Sequence, residues 1–244
     1  VDLYERYAAL RIQGDLVSKI EDEVCIEDTF RLHLNDVPLA QIIASPDQLM
    51  ELGAGFVICE GLAERVDRVV VSGHDIHISA PTNARIDYEL RSSGCIGVRG
   101  LPKVVRSDLS ITKDEVFQVI GEIESAVWKQ TGGVHCSVLF SNGQIVARSS
   151  DIGRHNTVDK VVGYAALNQL DLSRCVIGCT GRQPAGMVGK VANAGVPLVA
   201  TKAATTDAGI AIAERSNVTL IGFARGDRFT IYAHPERVIG VVGR

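Results

Sequence analysis

The feature that most constrains this chain is the regular exchange of β-type and α-type stretches after residue 131. "HCSVLF" and "IVARSS" flank the hairpin turn "SNGQ"; a helical pattern over about 156–169, "CVIGCT", a helix around 185–194, "PLVATKA", a helix over 206–216 and "VTLIGFA" follow. Short apolar, β-branched runs separated by helices of this length predict a largely parallel, mixed sheet with helices on both faces. The closing stretch "GFARGDRFTIYAH" turns at Gly226-Asp227, which sets the final strand antiparallel to its neighbour. In open α/β sheets ligands bind beyond the carboxyl ends of the strands, so the loops there form the rim to search for chemistry.

The first half reads differently. "FRLHLND" alternates Phe30, Leu32 and Leu34 and turns at Asn35-Asp36, the pattern of a half-buried strand. "SPDQLMELGAGFVICEGL" predicts a helix over about 46–60, with Ser45 as N-cap, Pro46 at the first helical position and Gln48 completing a capping box. Gly53 and Gly55 weaken that helix and imply close packing against another element. "RVVVSG", "DIHISA" and "RIDYEL" alternate as strands of an antiparallel sheet with one wet face. An amphipathic helix capped by Thr112 carries apolar positions at 116, 119, 120, 123 and 127. These readings divide the chain into a smaller, strand-rich N-terminal subdomain over residues 1–110, with one helix and the Cys95 loop, and an α/β domain over 111–244.

With 244 residues, the chain buries a core without disulfides or structural metal. Charged residues make up 22%, and a net charge of −4 argues against a nucleic-acid-coating surface, so any bound anion is met by local cations. No apolar run approaches the roughly 18–20 residues of a membrane span, and the opening "VDLYERYAALRIQGD" carries acids where a signal peptide is basic. Six scattered cysteines, at 25, 59, 95, 136, 175 and 179, fit a reducing compartment, and the cytoplasm is the expected location.

Four segments carry candidate chemistry. In "TGGVHC", Gly132 and Gly133 precede a strand that begins with His135, a joint that serves either a tight turn or the close approach of a ligand. In "DIGRHNTVDK", Asp151, Arg154 and His155 crowd a helix start, where free N–H groups and an arginine fork suit an anion; a plain helix cap is the other reading. "CTGRQPAGM" places Arg182 in a strand-to-helix loop, and "KAATTD" places Lys202 on the same edge. In "RSSGCIGVRG", Cys95 stands in a glycine-rich stretch that reads as an exposed loop, and Arg91 and Arg99 favour its thiolate; an incidental surface cysteine is the alternative.

The other cysteines read as core. Cys175 and Cys179 share a predicted strand, which separates their Cα atoms by about 13 Å, too far for a disulfide or a shared ion. His74 and His77 sit three apart in an alternating strand and face opposite sides, and the single H-x-E, at His234, has no cysteine pair after it, so zinc catalysis is not expected.

Taken together, "SPDQLMELGAGFVICEGL", "SSGC", "TGGVH", "DIGRHNTVDK", "GR" and "TLIGFARGDRFTIY" resemble the FdhD family of sulfur carriers needed for formate dehydrogenase activity. The resemblance runs from about residue 28 to 235. It implies a cytidine-deaminase-like α/β core without zinc, a homodimer, and partners in a cysteine desulfurase and the catalytic subunit of formate dehydrogenase. It also implies a substrate: the molybdenum, or tungsten, bis(molybdopterin guanine dinucleotide) cofactor. By this resemblance Cys95 holds the persulfide, and Phe223, Ala224, Arg225, Gly226, Asp227 and Arg228 match the stretch that contacts the guanine dinucleotide. A nucleic-acid or membrane partner is not implied.

One departure stands out. The family carries C-x-x-C, whereas "CIGV" puts Val98 at the second position and Ser92 occupies it in the opposite alignment. A single thiolate can accept and donate sulfane sulfur, but it has no adjacent thiol with which to expel sulfide as a disulfide. Cys136 replaces that thiol only if the Cys95 loop folds onto its strand. A delivery chaperone that binds the cofactor without sulfurating it is the competing function.

Overall fold

The computed structural model describes residues 2–82, 88–90, 96–98 and 102–241. A long two-stranded antiparallel hairpin comes first, β1 (Tyr4–Gln13) and β2 (Leu16–Cys25). Next come β3 (Asp28–Leu34), β4 (Val37–Ala44), helix α1 (Leu49–Cys59), β5 (Arg68–Ser72) and β6 (Asp75–Ser79). The turn at Asn35 and Asp36, both with positive φ, joins β3 to β4 as the sequence predicts. These strands form a sheet in the order β4-β3-β6-β5, with β3 and β6 parallel. Phe30, Leu32, Leu34, Ile76 and Ile78 on its inner face pack on Leu52, Phe56 and Val57 of α1.

Helix α1 is buried from Leu52 through Cys59 on every side, as a helix must be when sheet and helix both cover it. Its start departs from expectation. Ser45 is not the N-cap and Pro46 is not helical; the helix begins at Leu49 after a left-handed Gln48. Ser45 is committed elsewhere, its N–H donating to Asp151 and its hydroxyl accepting from the Ile152 N–H. Those bonds tie residues 45–48 to the second half of the chain and leave no side chain to cap the helix.

Of "RIDYEL", only β7 (Tyr88–Leu90) is a described strand, and it pairs not with the four-stranded sheet but with β8 (Ile96–Val98), a stretch expected to be loop. The expected helix after Thr112 is two helices. A two-residue strand, β9 (Ile111–Thr112), leads into α2 (Lys113–Gly121), where Thr112 and Glu115 form a full capping box; α3 (Ala126–Thr131) restarts with Ser125 as N-cap. Ile123 keeps the apolar stripe, but it is buried in the break between the helices.

The remaining elements follow the expected order: β10 (His135–Ser141), β11 (Gln144–Asp151), α4 (Arg154–Leu167), β12 (Cys175–Cys179), α5 (Ala185–Asn193), β13 (Leu198–Thr201), α6 (Asp207–Ser216), β14 (Thr219–Arg225) and β15 (Arg228–Ala233). A final short β16 (Val238–Ile239) runs parallel to β9. The large sheet has the order β11-β10-β12-β13-β14-β15. Only β12-β13 and β13-β14 are parallel, so the expected largely parallel sheet is corrected to a parallel centre with antiparallel flanks. The outer pairs β10-β11 and β14-β15 are hairpins, which reverse direction without the crossover that a parallel pair requires, while β12 returns antiparallel to β10 after β11 and α4. Helices cover both faces: α4, α5 and α6 bury Val158, Val162, Val188 and Ala213 on one, and α2 and α3 close over Val116, Val119 and Val138 on the other. No described helix is long and apolar enough to cross a membrane.

Candidate functional site

The parallel strands β12, β13 and β14 point their carboxyl ends to one edge of the sheet, and a cavity of about 810 Å³ opens there. Thr180, Lys202 and Arg225 line it from the three strand ends, and Gly132, Gly133 and His135 from the start of β10. Phe117 of α2, Glu124 of the helix break and Trp128 of α3 line it from the helical side. Gly132 takes a left-handed φ of 66° at the end of α3, with nothing near the place of a Cβ, so the chain turns into β10 without filling the mouth.

His135 is fixed by Thr180. The Thr180 hydroxyl accepts the Cys136 N–H at 3.0 Å and lies 3.1 Å from His135 Nδ1. Having accepted one backbone donor, the hydroxyl can give its own proton to Nδ1, the arrangement that leaves the ring proton on Nε2 facing away from Thr180. Burial pushes the His135 pKa below its ordinary value, and the charges of Arg154 and Arg182 push the same way against Asp151. The ring is therefore neutral at pH 7, among fixed cations. Lys202 Nζ reaches Glu124 Oε1 at 2.6 Å, and Arg225 Nε donates to the Lys202 carbonyl at 3.1 Å.

The stretch from Phe223 to Arg228 is the β14-β15 hairpin and divides by direction. Arg225 and Gly226 line the cavity, whereas Ala224 is fully buried in the core. Phe223 is 43% exposed with a φ of 50°, a backbone region costly for an aromatic residue, and its N–H is tied to the Ala203 carbonyl at 2.9 Å. A register shift between Gly222 and Arg225 accommodates it. Asp227 and Arg228 are exposed at the tip, outside the cavity lining.

"DIGRHNTVDK" proves to be largely structural. Asp151 is fully buried and accepts from the Ser45 N–H, the Gly153 N–H at 2.8 Å and Asn156 Nδ2 at 2.8 Å, while pairing with Lys160 Nζ at 2.8 Å. Burial raises its pKa and Lys160 opposes the rise. Lys160, itself fully buried, also reaches Asp47 at 2.7 Å and the Ser45 carbonyl. Asp151 thus anchors the rim from below and does not line it. Arg154 lies against Gly181, where a Cβ would come within 2.8 Å of its own Cβ. Arg182 is exposed just beyond, and His155 is half-buried outside the lining.

Cys95 lies outside the described residues. Cys136 is fully buried, its Sγ 3.3 Å from Ser125 Oγ and 3.7 Å from Ser150 Oγ. Burial raises the thiol pKa of Cys59 and Cys175, and that of Cys179 to about 11, so these three are inert core sulfurs. Cys25 is half-buried with Sγ 2.9 Å from Thr131 Oγ1, at the foot of the Gly132-Gly133 turn. Among the described residues no three His, Cys, Asp or Glu side chains converge as a metal site requires.

Sequence reasoning singled out neither Thr180 nor the helical wall of the cavity. Phe117, Glu124 and Trp128 lie off the apolar stripe at 116, 119, 120, 123 and 127, so the sequence pattern gives no sign of them; Glu124 stands in the break between α2 and α3.

The model of the FdhD/NarQ family matches residues 25–239. The chain is 34% identical to the "Sulfur carrier protein FdhD" of Methanothermobacter thermautotrophicus, over 98% of this chain and 100% of that protein. It is 31% identical to the protein of the same name from Wolinella succinogenes, over 97% and 90%. A crystal structure from Desulfotalea psychrophila, described as a formate dehydrogenase accessory protein, superposes with a TM-score of 0.86 at 26% identity, covering 98% of this chain and 100% of that one.

Proposed function

The chain belongs to the FdhD/NarQ family, and from that membership we propose that it carries sulfur to a molybdenum or tungsten bis(molybdopterin guanine dinucleotide) cofactor. Cys95 takes the sulfur from a cysteine desulfurase, and the loaded cofactor then enters the catalytic subunit of formate dehydrogenase. The supporting observation is the cavity, which joins Gly132, Gly133, His135, Arg225 and Gly226 with Lys202 at the carboxyl ends of parallel strands. Its volume is that of a small-ligand pocket, which is on the order of 300–1,000 Å³, so it takes one nucleotide arm of the substrate and leaves the metal outside. Lys202 and Arg225, with Arg154 and Arg182 felt at His135, favour the pyrophosphate. The proposal includes a homodimer in the cytoplasm and a core of cytidine-deaminase type that uses no zinc.

In the loading step the Cys95 thiolate attacks the outer sulfur of the desulfurase persulfide; one S–S bond breaks as another forms, and the desulfurase thiolate leaves. Release of that sulfur as sulfide consumes two electrons. Val98 stands where a neighbouring thiol would supply them, and Cys136 is walled in, so a thiol from another molecule provides the pair. Incubation with a cysteine desulfurase and cysteine should add the mass of one sulfur atom to the intact protein and none to Cys95→Ala. Equal uptake by both removes Cys95 from the scheme.

Val98 also favours a second reading, a cofactor-delivery chaperone without sulfur transfer. In a strain lacking this protein, Cys95→Ser would then restore formate dehydrogenase as well as the unaltered chain does.

A further inference from the structure

The cations of the cavity account for phosphate, but its acid does not. A carboxylate at the edge of an anion site works against phosphate and gains from a ligand that brings hydrogen-bond donors to it. Glu124 lines the cavity together with Phe117 and Trp128 from the helical side, and meets Lys202 of the strand ends. Lys202 holds its Oε1 at 2.6 Å, and no described protein group donates to its Oε2. The pair is only about a quarter exposed, so the lysine fixes the orientation of the carboxylate and offsets part of its charge.

A carboxylate only accepts hydrogen bonds, so its ligand must present donors. The aromatic side chains on the same side favour a flat ring. A flat ring with two adjacent in-plane donors is the N1–H and 2-amino edge of guanine; adenine offers an acceptor at N1, and hypoxanthine lacks the amino group. We propose that Glu124 selects the guanine base of the nucleotide arm, with Lys202 as its positioning residue. The inference rests on the cofactor reading above and adds the group that sets base specificity.

The test uses the chain's single tryptophan. Because Trp128 lines the cavity, its fluorescence reports titration of the full-length protein with GDP, IDP and ADP. The expected order is GDP over IDP by about tenfold, with ADP weaker still, since one charge-assisted hydrogen bond contributes about a factor of ten. Glu124→Gln should lose about tenfold or more in GDP affinity while ADP binding stays within about twofold, collapsing the preference. Glu124→Asp keeps the acceptor and should keep the order of GDP over ADP, whether or not the glutamine variant folds well. An unchanged GDP-to-ADP ratio in Glu124→Gln, or loss of the order in Glu124→Asp, overturns the assignment of Glu124. Binding of GDP by the unaltered protein without preference over ADP overturns it too and leaves the cofactor reading intact; no GDP binding at all defeats both.

Discussion

At the scale of single residues, the site is governed by charges that act on a neutral ring. Arg182 is exposed, yet it is felt at His135 together with Arg154, and burial is the largest of the forces holding that imidazole below 6.5. The folded-state value is depressed, so His135 opposes unfolding most above 6.5 and loses that contribution as pH falls through the depressed value. Replacing Arg182 with Gln removes one cation and should move the His135 midpoint upward toward 6.5, which an NMR titration of the ring reads directly. An unmoved midpoint means that solvent already screens Arg182. The sequence made His135 and Arg182 legible because both stand where strands begin or end. It hid Asp151's role: an aspartate before a helix reads as a cap or a ligand contact, and only the fold brings Ser45 and Lys160 to its oxygens.

At the scale of elements, the contact between α1 and α4 was half legible. Gly53 and Gly55 signal close packing, and each has its reason: a Cβ at Gly53 would come 2.5 Å from the Ile76 side chain, and one at Gly55 would come 1.7 Å from the Asp159 carbonyl oxygen. Gly163 on α4 meets the Glu51 carbonyl in the same way, at 1.8 Å. Backbone cannot yield as a side-chain tip can, so the two helices must separate to admit a methyl group. Gly55→Ala is expected to cost about 3 kcal/mol or more in denaturant unfolding. Adding Gly163→Ala should cost less than the sum, because one separation relieves both clashes. Full additivity would mean that the helices do not move as a pair. The β1-β2 hairpin escaped notice for the opposite reason: both of its faces mix apolar and charged residues, so no period of two marks a buried side.

At the scale of the whole molecule, one buried ion cluster ties the two halves together. Lys190 of α5 reaches Glu60, just past α1, at 2.7 Å and Asp159 of α4 at 2.8 Å, and lies 5.1 Å from the Phe56 ring centroid. All three charged groups are at most 3% exposed, and the buried Cys59 thiol borders them. Lys190→Met takes the shared cation from two buried carboxylates and should destabilise by about 3–5 kcal/mol at neutral pH. Burial already raises the Asp159 pKa, Glu60 adds to the rise, and Lys190 opposes it, so its loss raises the value further. A raised carboxyl contributes stability that is full below its unfolded value near 3.8 and lost as pH rises through the folded one. The deficit of the variant should therefore shrink as pH is lowered from 8 toward 5, and a constant deficit would rule out carboxylate strain as its source.

The sequence could place these residues on helices but not against one another, because convergence of three elements leaves no periodic trace. Asp151 receives its four partners from the interior and the turn itself, while Arg182 projects from a neighbouring loop into solvent. Foundation and outer charge are thus separate. Replacing Arg182 should therefore leave the masonry around Asp151 undisturbed.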